Sequence, residues 1–318
     1  MRNEAEGPTE GGGRRVSRNL FRSRLRRGEL ILLDGAMGTE LERRGIPTPL
    51  PLWSAAALKN HPDTVREIHE EYVRAGADVI TANTFRTTPR AVQKAGLAPG
   101  EARVLTQRAV ALAGEATDRA RGAREVLVAG ALAPLEDCYR PDQAPDPEQS
   151  LREHTEQASF LARCGVDLIL AETMNSIAEA IAAVRGAKAT ELPVLVSFIC
   201  KDGSEILSGE SLAAAVNAVE PLKPDAVLVN CVDPETAAEC LLTMGRVTRI
   251  PLGCYPNAGG PDMEHGTWRF DSSWTPDRFA EAAATWVARG AQIVGGCCGT
   301  GPDHIRALRL ALPPVLVE

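Results

Sequence analysis

Eight cysteines, at positions 138, 164, 200, 231, 240, 254, 297 and 298, carry the widest range of chemistry in this sequence. In a short secreted chain such a set reads as a disulfide framework. Here they are scattered through 318 residues with no signal-peptide pattern, which points to a reducing, cytoplasmic setting and to buried thiols or metal ligands. Cys164 and Cys240 fall in helix-like stretches and read as packing, while Cys138, Cys200 and Cys254 leave both readings open. Cys297 and Cys298 differ because they are adjacent, inside the run GGCCGT (295–300), where glycine removes side-chain bulk. With Cys231 they offer three soft thiolates, although conventional C-x2-C spacing is absent. Three protein ligands suit a Zn2+ ion that keeps a fourth position for a substrate. A thiol entering that position would give up its proton and become a nucleophile, so no catalytic side chain is required beyond the metal.

Two carboxylates, Asp34 and Glu172, are placed to grip an α-ammonium group. The turn Gly35–Thr39 brings the backbone of Gly38 and Thr39 near a helix start, a cradle for a carboxylate. Asn83 is a further candidate substrate contact. Plainer roles compete: Asp34 as a turn or helix cap, and Glu172 as an arginine partner.

These residues share a place because of the elements that precede them. Apolar runs of four to six residues occur at 29–33, 78–81, 125–129, 167–171, 194–198, 225–229, 250–254 and 291–294, without polar alternation, as in parallel strands covered on both faces. Helical patterns fill the gaps at 62–75, 101–120, 149–164, 177–188, 211–220, 234–244, 276–289 and 302–310, several opening on proline. Eight alternations predict a single (β/α)8 TIM barrel, and the missing dinucleotide fingerprint argues against a doubly wound sheet. In such a barrel the site lies at the C-terminal ends of the strands. Asp34, Asn83, Glu172, Cys231 and the cysteine pair all follow strand runs. The Pro-rich stretch 134–147 reads as a longer loop over that rim.

Composition narrows the partners. A net charge of −7 argues against nucleic acid or an anionic membrane as the main partner, and no run of 18 apolar residues is present. Seven arginines between Arg14 and Arg27 suggest a transit peptide, but Glu4, Glu6 and Glu10 precede them. Residues 1–18 therefore read as a flexible tail, and 19–318 as the barrel domain. Leu20, Phe21 and Leu25 form an amphipathic lead-in facing the barrel. Oligomeric state leaves no sequence signal.

The segments LLDGAMGTELERRG (32–45), LWSAAALKNHPDTVREIHEEYVRAGADVITANTF (52–85), AET (171–173), NC (230–231), YPNAG (255–259) and GGCCGT resemble the homocysteine S-methyltransferase family, in order, over about residues 30 to 310. The resemblance implies a (β/α)8 barrel with Cys231, Cys297 and Cys298 as zinc ligands and a homocysteine thiolate at the open site. It also implies that Asp34 and Glu172 hold the amino group, with Gly38 and Thr39 near the carboxylate, and that methionine is the product. Family donors are S-methylmethionine, betaine or methylcobalamin. With no folate or cobalamin domain following the last helix, the resemblance implies a freestanding donor such as S-methylmethionine. The alternative is a homocysteine-binding subunit fed by a separate corrinoid protein, and a third reading is a structural zinc barrel. Leu52-Trp53-Ser54 is similar to the S-methylmethionine enzymes, and Trp53 could face a sulfonium or quaternary ammonium, or simply pack. The run Asn83–Thr88 (NTFRTT) departs from their SYQAT-like pattern and resembles the methionine synthase homocysteine domain instead. It sets Arg86 where a cationic donor would approach.

Overall fold

The apolar runs become eight parallel strands in a computed structural model that describes residues 20–262 and 267–314. They are β1 (Ile31–Leu32), β2 (Val79–Ala82), β3 (Leu127–Leu132), β4 (Leu168–Met174), β5 (Val194–Phe198), β6 (Ala226–Asn230), β7 (Leu252–Tyr255) and β10 (Ala291–Val294). An antiparallel hairpin, β8 (Gly259–Asp262) with β9 (Thr267–Phe270), is inserted before the last of them. The order β1-β10-β7-β6-β5-β4-β3-β2, with a parallel bridge from Leu33 to Val79, closes the single (β/α)8 barrel that the sequence predicts.

Helices run along the chain as α1 (20–26), α2 (Gly38–Arg43), α3 (Ala57–Asn60), α4 (Pro62–Ala75), α5 (Pro89–Lys94), α6 (Glu101–Ala120), α7 (Pro147–Cys164), α8 (Ile177–Lys188), α9 (Leu212–Val219), α10 (Pro234–Gly245), α11 (Pro276–Ala288) and α12 (Pro302–Ala311). Their starts follow local chemistry. Asp146, Ser176, Asp233 and Thr275 each accept a first-turn amide, and proline occupies the opening turn of α7, α10 and α11. The short helices α2, α3 and α5 and the β8–β9 hairpin go beyond the sequence expectation, because none is long enough to show a periodic pattern.

The core has two layers. One lies between the sheet and the surrounding helices. The other fills the barrel and includes Ile31, Leu33, Leu168, Leu195, Leu228 and Ile293. Phe21 and Leu25 of α1 belong to this inner layer, with Leu20 packed against it, so the lead-in helix stoppers the base of the barrel. Two of the lead-in arginines hold it there: Arg22 pairs with Asp225 at 2.6 Å and Arg24 with Asp78 at 3.1 Å. Both aspartates also accept a neighbouring strand's amide, from Val194 and Leu32. The base is thus a ring of polar clasps under an apolar plug, and the opposite rim is left for chemistry. The tail expected over residues 1–18 lies outside the described residues. Among the described residues no helix is long and apolar enough to cross a membrane.

Candidate active site

β6 delivers Asn230 and Cys231 to the rim, and β10 runs directly into Gly295–Thr300. The sulfur atoms of Cys231, Cys297 and Cys298 lie within 4.8 Å of one another, with Cys231 Sγ 3.2 Å from Cys297 Sγ. Two thiolates each about 2.3 Å from a tetrahedral ion stand about 3.8 Å apart, so this triad fits a soft metal ion without rebuilding the backbone. The double-cysteine loop is tied on both sides. Cys297 N donates to Pro256 O at 2.8 Å, Ala258 N to Cys298 O at 2.8 Å, and Gly299 N to Thr39 Oγ1 at 2.9 Å. Gly299 has φ +82°, and a Cβ there would lie 1.9 Å from Ala258 O, so only glycine permits this turn. Hydrogen bonds from Cys231 and Cys298 hold the Cys297 thiol well below its ordinary pKa, while the same bond to Cys297 raises Cys231.

Asn230 is the hub beneath it. Its Oδ1 accepts from Thr173 N at 3.1 Å and Ser197 Oγ at 2.6 Å, and its Nδ2 donates to Thr173 Oγ1 at 2.9 Å and toward Cys297 Sγ at 3.9 Å. Three residues that line this rim carry left-handed backbone, Trp53 (φ 49°), Thr173 (φ 60°) and Cys231 (φ 55°). Such strain, about 1–3 kcal/mol per residue, persists only where the surroundings hold it.

Asp34 and Glu172 form the acidic wall. Asp34 is buried and accepts from Thr81 N at 2.8 Å and Thr81 Oγ1 at 3.1 Å. Burial pushes its carboxyl up to about 7 against these bonds, and the charge on Cys297 adds to the rise. Glu172 reaches the pocket through an irregularity in β4, whose register to β5 shifts between Ala171 and Met174. A bulge of this kind re-aims a side chain next to a site. Tyr255 Oη donates to Glu172 Oε2 at 3.4 Å, and burial, then the charges of Cys297 and Asp34, raise the Glu172 carboxyl well above its usual range. Burial and the neighbouring negative charges disfavour ionisation of both carboxyls in the empty site, so a cation placed beside them would favour their charged forms.

These groups line a cavity of about 540 Å³ that includes every residue proposed from sequence: Asp34, Gly38, Thr39, Trp53, Asn83, Glu172 and the three cysteines. Gly38 and Thr39 open α2, and a Cβ on Gly38 would fall 2.3 Å from the Trp53 ring, so the indole lies directly on that glycine. Trp53 meets Phe85 edge-on at 5.8 Å, and the guanidinium of Arg86 lies 5.3 Å from the Phe85 centroid. Asn83 is at the rim, but its carboxamide is spent on Ser54, giving Nδ2 to Ser54 O at 2.9 Å and accepting from Ser54 Oγ at 2.7 Å. It anchors the Trp53 turn. From the 134–147 loop, Cys138 and Tyr139 also reach the cavity. The neighbouring cysteine sulfurs, Cys231 foremost, and then burial raise the Tyr139 hydroxyl above its ordinary range. Sequence reasoning did not identify Thr81, Tyr139, the hairpin residue Trp268, the bond from Tyr255 to Glu172, the bonds of Ser54 to Asn83 or the hub role of Asn230. Of these, Ser54, Tyr255 and Asn230 lay in motifs the sequence singled out.

Comparison with known proteins gives one consistent answer. A model described as homocysteine S-methyltransferase matches residues 31–312. Homocysteine S-methyltransferase YbgG of Bacillus subtilis is 31% identical over 88% of this chain and 93% of its own. The selenocysteine methyltransferase of Astragalus bisulcatus is 30% identical over 88% and 92%. Among solved structures, the metallated form of the Escherichia coli homocysteine methyltransferase MmuM superposes with a TM-score of 0.80 at 30% identity, covering 92% of this chain and 99% of the other.

Proposed function

This chain belongs to the homocysteine S-methyltransferase family and is a methyltransferase, and from that premise we propose that it transfers a methyl group from a freestanding onium donor such as S-methylmethionine to the sulfur of L-homocysteine, giving methionine. The observation that carries this reading is the meeting of three cysteine sulfurs with the carboxyl groups of Asp34 and Glu172 in one cavity. Cys231, Cys297 and Cys298 would hold zinc, the ion their all-sulfur set favours. Zinc, when bound, supplies the Lewis acidity that lets a thiol ionise near neutral pH.

The protein's own residues do the rest. Asp34 and Glu172 face the acceptor's ammonium group, and its charge would draw both carboxyls back toward ionisation. The amides at the start of α2 face its carboxylate. Asn230 keeps Cys297 oriented by directing an N–H toward its sulfur. Trp53, packed on Gly38, presents a ring face suited to a sulfonium. In the transfer the acceptor sulfur forms a bond to the methyl carbon while the carbon–sulfur bond of the donor breaks. That electron pair returns to the donor sulfur, which leaves as a neutral thioether, and the thiol proton goes to solvent.

The test is methionine formation from homocysteine by zinc-loaded protein with S-methylmethionine as sole donor. Turnover that a chelator abolishes supports the reading. Zinc and homocysteine binding without turnover on small donors would instead favour a subunit supplied by a separate corrinoid protein. Metal whose environment ignores homocysteine would reduce it to a structural ion. Selenocysteine offered in parallel tests whether a selenol is also accepted, as the Astragalus relative's name invites.

A further inference from the structure

Among the described residues that line the cavity, one is cationic, and methyl transfer to homocysteine leaves it without a task. Arg86 lines the wall, and its Nη1 donates to the backbone carbonyl of Glu136 at 2.9 Å. The Glu136 carboxylate is engaged elsewhere, by Arg90 Nη1 at 2.8 Å and by Lys94. Arg90 is also satisfied by Glu153, at 2.6 Å. Among the described residues no carboxylate pairs with Arg86. A guanidinium is always charged, and its fork matches a carboxylate.

Its placement gives the missing anion an address. Trp53, Phe85 and Arg86 succeed one another along a single wall, with the Trp53–Phe85 centroids 5.8 Å apart and Arg86 Cζ 5.3 Å from Phe85. The same cavity is lined by Asp34 and Glu172. A donor whose onium centre sits against the aromatics and carboxylates can extend an anionic end to Arg86. A bare onium ion entering the same space would be repelled by Arg86 and leave it unpaired. The bond to Glu136 O fixes the guanidinium at the root of the 134–147 loop, so it is held in place before the ligand arrives.

We propose that Arg86 is a specificity-determining residue that binds the carboxylate of the methyl donor. This rests on the methyl-transfer reading above and assigns a residue to the recognition of its second substrate.

The test compares S-methylmethionine with its carboxamide, which keeps the sulfonium and removes the anion, in the zinc-loaded full chain and its Arg86→Gln and Arg86→Lys variants. Wild-type protein should prefer the carboxylate form by about tenfold to a hundredfold in kcat/KM, the value of a charge-assisted hydrogen-bonded pair. In Arg86→Gln that ratio should collapse toward one, with the change in the donor KM, and Arg86→Lys should recover part of it. Calorimetric binding of the two donors to the same proteins gives the same comparison without turnover. It keeps the proposal testable if no methionine forms, an outcome that would count against the methyl-transfer reading alone. A ratio unchanged in Arg86→Gln overturns the proposal. So does an increase in the homocysteine KM with the donor ratio intact, because Arg86 would then serve the acceptor.

Discussion

Replacing Asn230 with alanine should separate the metal site from the fold that carries it. In the native protein the buried carboxamide satisfies Thr173 N–H and Oγ1, accepts from Ser197, and directs an N–H toward Cys297 Sγ. Alanine leaves the Thr173 amide, on a residue 1% exposed, without an acceptor, a loss of about 1–3 kcal/mol. Ser197 also bonds Tyr255 and can turn to it, so its contribution is smaller. The left-handed Thr173 and Cys231 lose part of what holds them. Metal-free protein should therefore be less stable by about 2–4 kcal/mol. Loss of the N–H aimed at Cys297 should weaken metal binding by about tenfold to a hundredfold, or roughly 1.4–2.7 kcal/mol. Urea unfolding of the metal-free protein reads the first quantity free of linkage to the metal, and competition with a chromophoric zinc chelator reads the second. A variant with native zinc affinity would refute the role of Asn230 as orienter of Cys297. Native stability in urea would refute its role as the clasp between β4, β5 and β6.

Alanine at Cys231, Cys297 or Cys298 should abolish both zinc retention and methyl transfer, and a variant that keeps full activity would exclude the triad as the metal centre. Asp34→Asn should leave zinc in place and raise the homocysteine KM. In the free enzyme Asp34 is protonated below about 7, so the wild-type KM should climb as pH falls through that value while the Asn variant stays flat there. The same raised pKa gives the empty protein a stabilising contribution that is complete below the unfolded value of 3.8 and is lost as pH rises to about 7; Asp34→Asn should flatten that part of the urea-stability profile. His69 is fully buried with both ring nitrogens unpaired, and burial lowers its pKa from 6.5 to about 4. The unfolded chain takes up that proton first, so stability should fall by roughly 3 kcal/mol as pH drops from 6.5 to 4. His69→Leu should remove that slope, and an unchanged profile would show that His69 finds a partner.

The barrel was legible because long periodic features set it: eight apolar runs too continuous for a surface sheet, and helices that open on proline. The strand-end positions of Asp34, Glu172, Cys231, Cys297 and Cys298 followed from the same pattern, and the structure brings all five to one cavity. Features that depend on two or three residues were not legible. The β8–β9 hairpin contains Gly259, Gly260 and Pro261 in a four-residue strand, which weakens any strand signal. The irregularity in β4 has no sequence signature, yet it is where Glu172 enters the site. Asn83 was read as a substrate contact from its rim position; it does line the cavity, and its two bonds to Ser54 had no signal in the sequence. A side chain's position follows from periodicity, but its hydrogen-bond partners depend on contacts distant in the chain. Asn230 illustrates this most clearly, with partners on β4, β5 and the loop after β10.

The stopper formed by Phe21 and Leu25 has a kinetic consequence. With the barrel interior packed with side chains above that stopper, no passage runs through the barrel, so molecules enter and leave the site by the rim. On the proposed reading, homocysteine occupies the floor beside the cysteines and the donor lies above it along the Trp53–Arg86 wall. The lower guest must then arrive first, and the spent donor must depart before methionine can rise past it. The order of arrival and departure would be imposed by depth, whatever the affinities of the two compounds.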